Sequence, residues 1–165
     1  MKYARIIGLT LLVILSLNFQ SRKATNFKLP DLDGKSQELQ ALLKNGPVLV
    51  DFWATWCKPC IKAFPELEAL HQKYKKRGLQ VIGINEDGNM TAKRLRPFLK
   101  KMKVSFPILL DKNNKVMQRW QVQVLPTTFL IAQDGRILLK QVGYSSNAIK
   151  KFEEAIEAYL KRQKQ

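Results

Sequence analysis

The apolar positions along the chain change their period repeatedly, and each change marks an element. Ile6 to Leu17 is an apolar run of 12 residues broken only by Gly8, Thr10 and Ser16, with Lys2 and Arg5 before it. A polar stretch, Ser21 to Thr25, follows. Phe27 to Lys35 alternates around Asp33-Gly34, which predicts a hairpin. Ser36 is placed to cap a short helix through Leu43, ended by Asn45-Gly46-Pro47. Val48 to Trp53 is apolar except for Asp51 and predicts a buried central strand. From Lys58 to Arg77 the period becomes helical, with Ile61, Phe64, Leu67 and Leu70 on one face, a kink at Pro65 and a stop at Gly78.

The second half repeats the alternation. Leu79 to Asn85 reads as a strand, and Thr91 to Lys103 as a basic amphipathic helix with Leu95, Phe98, Leu99 and Met102 inward. Pro107 to Leu110 is a short strand and Lys115 to Trp120 a short helix. Pro126 to Ile131 and Ile137 to Gly143 form a hairpin across Asp134-Gly135, and Asn147 to Lys161 closes the chain as a helix. The order βαβ, αβα, ββα predicts an α/β fold: a mixed central sheet with helices on both faces, an N-terminal hairpin and an αβ insertion.

Charge and targeting add compartment. The 165 residues carry 29 Lys+Arg against 13 Asp+Glu, a formal charge of +16. Setting aside residues 1–20 removes only Lys2 and Arg5 and leaves +14, so the charge belongs to the folded domain. Residues 1–20 read as a signal peptide or N-terminal membrane anchor, 21–25 as a linker and 26–162 as one domain. The apolar run suits a signal h-region and lies at the short limit for a span. No small-x-small cleavage site follows it cleanly, which favours the anchor, and the basic N-terminus stays inside. The domain is therefore expected outside the cytoplasm, in the periplasm or on the outer face of the cytoplasmic membrane. The basic clusters Lys73–Arg77, Lys93–Lys103 and Lys150–Lys151 read first as solvated faces. Their sharper reading is attraction to an anionic membrane surface or acidic partners. No aromatic-basic platform suggests nucleic acid.

The chemistry sits where the central strand meets the long helix, in Trp56-Cys57-Lys58-Pro59-Cys60, which holds the only two cysteines. A helix N-terminus stabilises a thiolate, and the second cysteine lies one turn further in, close enough to close a Cys57–Cys60 disulfide. Pro59 falls in the first turn, where its missing N–H costs nothing. Two cysteines and His71 are too few for a zinc site, and a four-residue loop is a weak structural staple. Redox chemistry is left. Cys57, beside Lys58, is the expected attacking thiol and Cys60 the resolving one. Asp51, buried below them, reads as the proton acceptor for Cys60 or as a hydrogen-bonded structural residue. Trp53 is expected to pack and Trp56 to border a groove; Pro126 is a turn proline at a strand start or, with Leu125, shapes that groove. Trp120 reads as packing, and His71 as a solvated surface residue.

Asp51-Phe52-Trp53-Ala54-Thr55-Trp56-Cys57-Lys58-Pro59-Cys60, then Pro65, then Leu125-Pro126-Thr127-Thr128-Phe129, resembles the thioredoxin superfamily. The leading hairpin and the insertion between Asn85 and Asp111 resemble its exported TlpA/ResA-like, redoxin (AhpC/TSA-type) branch of thiol–disulfide oxidoreductases. The resemblance implies a thioredoxin fold, a cis peptide before Pro126, and a reducing role toward exported cysteine-containing proteins. It further implies re-reduction by a membrane thiol donor, no bound cofactor or metal beyond the dithiol itself, and a monomer. Ala63 stands where relatives serving cytochrome c maturation often carry glutamate, and Asp51 where they often carry asparagine. Both departures move proton handling from helix to strand and leave that role open. A disulfide-forming oxidant or isomerase is the alternative. A redoxin-type peroxidase lacks its proline-led cysteine loop here, and a non-catalytic binding module has no need of the intact Cys57, Cys60, Pro126 set.

Overall fold

The computed structural model describes residues 22–89 and 91–163; the signal or anchor read over 1–20 lies outside these. β3 (Val48–Trp53) is buried at every position and forms the centre of a five-stranded sheet ordered β5-β4-β3-β6-β7. On one side β4 (Gln80–Asn85) runs parallel to β3 and β5 (Ile108–Leu110) parallel to β4. On the other side β6 (Thr127–Ile131) runs antiparallel to β3 and β7 (Ile137–Val142) antiparallel to β6. The period of two in β3 divides the core. Leu49 and Trp53 face a cluster with α2 (Lys58–Tyr74), α3 (Ala92–Lys101) and α5 (Ser146–Arg162). Val48, Val50 and Phe52 face the other, with α1 (Leu39–Leu43), α4 (Lys115–Arg119) and the N-terminal hairpin. This is the thioredoxin fold.

Ser36 does not cap a helix. It opens β2 (Ser36–Glu38), which pairs antiparallel with β1 (Lys28–Pro30), and α1 begins only at Leu39. The Asp31 carboxylate accepts the N–H groups of Asp33 and Lys35 and closes the turn tightly enough for pairing to continue. The backbone of Leu39 then donates to Phe27 O, which ends the ladder. The expected turn at Asp33-Gly34 is present, with Gly34 at φ 79°. The segment read as a linker is also engaged: Arg22 O accepts from Ile137 N, and Ala24 N donates to Gly135 O, along the free edge of β7.

α2 runs through Pro65 to Tyr74 and tightens into a 3₁₀ turn, Lys75–Arg77, before Gly78 stops it at φ 96°. His71 is less exposed than a solvated surface residue. It is half-buried, edge-on to Phe106 at 6.2 Å, and its Nδ1 has no partner. Burial lowers its pKa more than Glu68 raises it. Its helix face turns inward because the β5 approach packs on it.

Gly46 has φ 139°, and a Cβ there would lie 2.3 Å from the Gly78 carbonyl oxygen. The loop before β3 and the stop after α2 therefore interlock. Gly46→Ala is expected to cost about 2 kcal/mol, read as a lower urea midpoint with an unchanged slope. An unchanged midpoint would show that the loop relaxes freely.

Candidate functional site

All the chemistry gathers at one end of the sheet, where β3, β4, β5 and β7 finish and β6 begins. Ala54 to Trp56 turn the chain out of β3, with Cys57 N bonded to Ala54 O, and Cys57 becomes the N-cap of α2. Its Sγ accepts the Cys60 N–H at 3.2 Å, so the sulfur occupies the anion-favouring place of an N-terminal helix cap. Cys57 and Cys60 are disulfide-bonded, with Sγ–Sγ 2.03 Å. Cys57 keeps 5% of its surface and Cys60 none. Lys58 and Pro59 are exposed beside the pair.

Asp51 lies on the face of β3 shared with Leu49 and Trp53, the side that packs on α2 and carries Cys60. It is fully buried, and its Oδ1 accepts the Thr128 hydroxyl at 2.7 Å while Oδ2 has no partner. Its cross-strand neighbours are Gly83 and Thr128, so the sheet sets no cation against it. Burial raises its pKa to about 7, and the Thr128 bond only partly offsets this. A carboxyl poised there takes or gives a proton near neutral pH.

The Leu125–Pro126 peptide is cis, and Pro126 O accepts from Gly143 N at 2.8 Å. Pro126 is buried and Leu125 half-buried. Trp56 is 70% exposed, and Trp53 is buried edge-on to Phe64, packed as the sequence suggested. Trp120 is packing: it meets Phe27, Phe52 and Phe129. Among the described residues the other large exposed apolar side chains are Val124 and Val142, each 50% exposed. Val142 pairs with Thr127, and Val124 O accepts the Thr127 hydroxyl, so both flank Pro126. Together they make an apolar rim at the disulfide end that sequence reading did not single out.

It also missed the acids that end β4. The Asp87 carboxylate accepts the Thr55 N–H at 3.0 Å, its hydroxyl at 3.0 Å and Asn85 Nδ2 at 2.6 Å, pinning the turn that leads into Trp56-Cys57. Glu86 N bonds to Trp53 O, and its buried carboxyl oxygens lack partners. Burial, then Asp111 and Asp87, raise the Glu86 pKa to about 8. The available signal was two consecutive acids directly after an apolar strand. Ala63 is buried, and Glu66 turns instead to Tyr144, whose hydroxyl donates to it at 3.1 Å. Among the described residues, no His, Cys, Asp and Glu side chains gather in a group able to hold a metal.

A Cys-x-x-Cys disulfide at a helix N-terminus, a buried carboxyl on the adjoining strand and a cis-proline loop at the same end of the sheet define a thioredoxin-fold thiol–disulfide oxidoreductase. Residues 21–140 match the AhpC/TSA family, and the chain belongs to it. It is 37% identical over 141 residues to the thiol-disulfide oxidoreductase ResA of a Bacillus cereus strain, covering 86% of this chain and 76% of that protein. A Chlorobium tepidum structure assigned as the thiol:disulfide interchange protein DsbE superposes with TM-score 0.77 at 32% identity, over 85% of this chain and 96% of that one. The thioredoxin domain of Bacteroides vulgatus thiol-disulfide oxidoreductase BVU-2223 gives 0.69 at 25% identity, over 80% and 96%.

Of the two cysteines only Cys57 keeps any exposed surface. In the reduced protein, iodoacetamide is expected to label Cys57 first, with an apparent pKa below the free thiol value of about 8.5. Peptide mapping that found Cys60 labelled first would reverse the two roles.

Proposed function

We propose that the protein reduces disulfides of exported proteins. Cys57 attacks the client disulfide, forms the mixed disulfide and releases the first client thiolate. Cys60 then gives up its proton to Asp51 and attacks Cys57, which closes Cys57–Cys60 and releases the second client thiolate. Two electrons pass to the client, and a membrane thiol donor restores the dithiol. No further cofactor takes part. Trp56, Lys58, Pro59, Leu125 and Pro126 border the client, with Val124 and Val142 as an apolar rim. Residues 1–20 tether a monomeric domain to the outer face of the membrane.

The observation that carries this reading is the Cys57 sulfur at the α2 N-cap, at the same end of the sheet as the cis Pro126 loop and its apolar rim. Direction is read from the reduction potential. Equilibration with glutathione is expected to place Cys57–Cys60 nearer about −270 mV than about −120 mV. A value above about −180 mV would reassign the protein as an oxidant or isomerase.

A further inference from the structure

Beyond the disulfide end, one cavity has a single sign of charge. Arg22, Lys23, Arg119 and Lys140 line a space of about 470 Å³ floored by Trp120 and Phe129, and no acidic residue lines it. That volume is within the range of small-ligand sites. All four cations are exposed. Among the described residues none of them forms a salt bridge. Asp134, the carboxylate that interacts with Lys23, is bonded to Arg136 Nε at 2.6 Å. Lys140 Nζ stands 5.3 Å from the Phe129 ring centre, which holds the ammonium over the cavity floor.

In the basic clusters conspicuous in the sequence, three cations are held by acids. Lys73 pairs with Glu153 and Arg77 with Glu157, each at 2.6 Å, and Arg96 pairs with Asp33. The cavity is distinguished from them by gathering four cations around one concave space with no acid in its lining, and by its place on the chain. Arg22 follows the last residue of the apolar run, Leu17, by five positions. Five extended residues span at most about 18 Å, and the headgroup layer is about 5–8 Å deep on each side of a bilayer. Arg22 is fixed against β7 by its bond to Ile137. A chain tethered through residues 1–20 therefore carries this cavity to the headgroups.

We propose that the Arg22, Lys23, Arg119, Lys140 cavity binds the phosphate of an anionic phospholipid headgroup and so sets the orientation of the domain on the membrane. The inference rests on the tethered reading above. Lys140 lies three residues before Gly143, the hydrogen-bond partner of Pro126. At the rise of a strand, the groove is about 10 Å along β7 from the bound headgroup. Docking there keeps the disulfide close to the bilayer plane, within reach of a membrane thiol donor.

The test uses the full, unprocessed chain in nanodiscs of phosphatidylglycerol or phosphatidylcholine, with lysine acetylation followed by peptide mass. Phosphatidylglycerol is expected to slow acetylation of Lys23 and Lys140 about threefold or more. Lys62 on α2 and Lys150 on α5, on the opposite face of the sheet, keep their rates. Arg119→Gln with Lys140→Gln is expected to return Lys23 to its phosphatidylcholine rate without altering the reduction of a soluble disulfide. Equal rates in the two lipids would overturn the proposal. Uniform slowing, Lys62 and Lys150 included, would replace it by diffuse charge attraction. The same protection from inorganic phosphate in phosphatidylcholine discs would make the cavity a small-anion site, which also overturns it. The tether is read separately, from whether the mature chain in cells retains residues 1–20. Loss of that segment would reject the tether whatever the nanodiscs report.

Discussion

Cys60→Ser protein is expected to stop after one encounter with each client, holding it as a mixed disulfide on Cys57. The buried Cys60 sulfur bonds directly to Cys57, so resolution is intramolecular and draws on an effective concentration no free thiol matches. Turnover should fall on the order of 10³-fold or more. The trapped species should appear as a covalent client adduct that dithiothreitol releases. Cys57→Ser should lose turnover equally but trap nothing, because Cys60 has no exposed surface from which to attack. Trapping by Cys57→Ser instead would exchange the two roles. The folded structure survives either change, since the four-residue ring restrains the unfolded chain little.

The second large effect is a pH-dependent gain in stability from Asp51→Asn. In the folded protein Asp51 has a pKa of about 7 against an ordinary value of 3.8, raised by burial with one Thr128 bond opposing. The folded state therefore favours the protonated acid. Its contribution is fully present below the unfolded pKa and is lost as pH rises through the folded one. By pH 8 the wild-type protein has given up as much as about 4 kcal/mol that it held at pH 3. The substituted amide does not titrate. The variant and wild type should unfold at similar urea concentrations near pH 4, and the variant should be the more stable at pH 8, with both proteins oxidised. Resolution of the mixed disulfide should slow about 10²-fold, while the first attack by Cys57 changes little. A variant less stable at every pH, with both steps slowed alike, would make Asp51 a structural hydrogen-bonding residue only. Glu86, raised to about 8, titrates in a neighbouring window. A residual pH dependence in the Asp51→Asn protein is therefore expected and belongs to it.

Legibility differed sharply between parts of the chain. β3 was plain because a central strand is buried on both faces and must be apolar throughout, so its one acid stood out. α2 was plain because a long helix shows its period many times over and ends at a glycine in the left-handed region. Ser36 misled because a serine before an apolar pair fits a helix cap locally. The deciding term was the pairing of residues 36–38 with residues 28–30. His71 misled for a related reason: the aromatic ring that partly covers it comes from Phe106, 35 positions away.

Local order along the chain was enough to determine the α/β class, the Cys57–Cys60 pair at a helix start and the acid Asp51 in the strand before it. Each depends on a short-range rule: the periods of two and 3.6, the polarity of a helix end, the spacing of one helical turn. Tertiary structure alone decided which acids gather around that dithiol and which cations remain unpaired. Asp87 reaches Thr55 across 32 positions, and Glu86 is buried where β4 ends beside β3. Lys73, Arg77 and Arg96 are neutralised by acids 63 to 80 positions distant, whereas Arg22, Lys23, Arg119 and Lys140 converge from three separate segments. Charge and burial act through space over a few ångströms, and only the folded chain sets those distances.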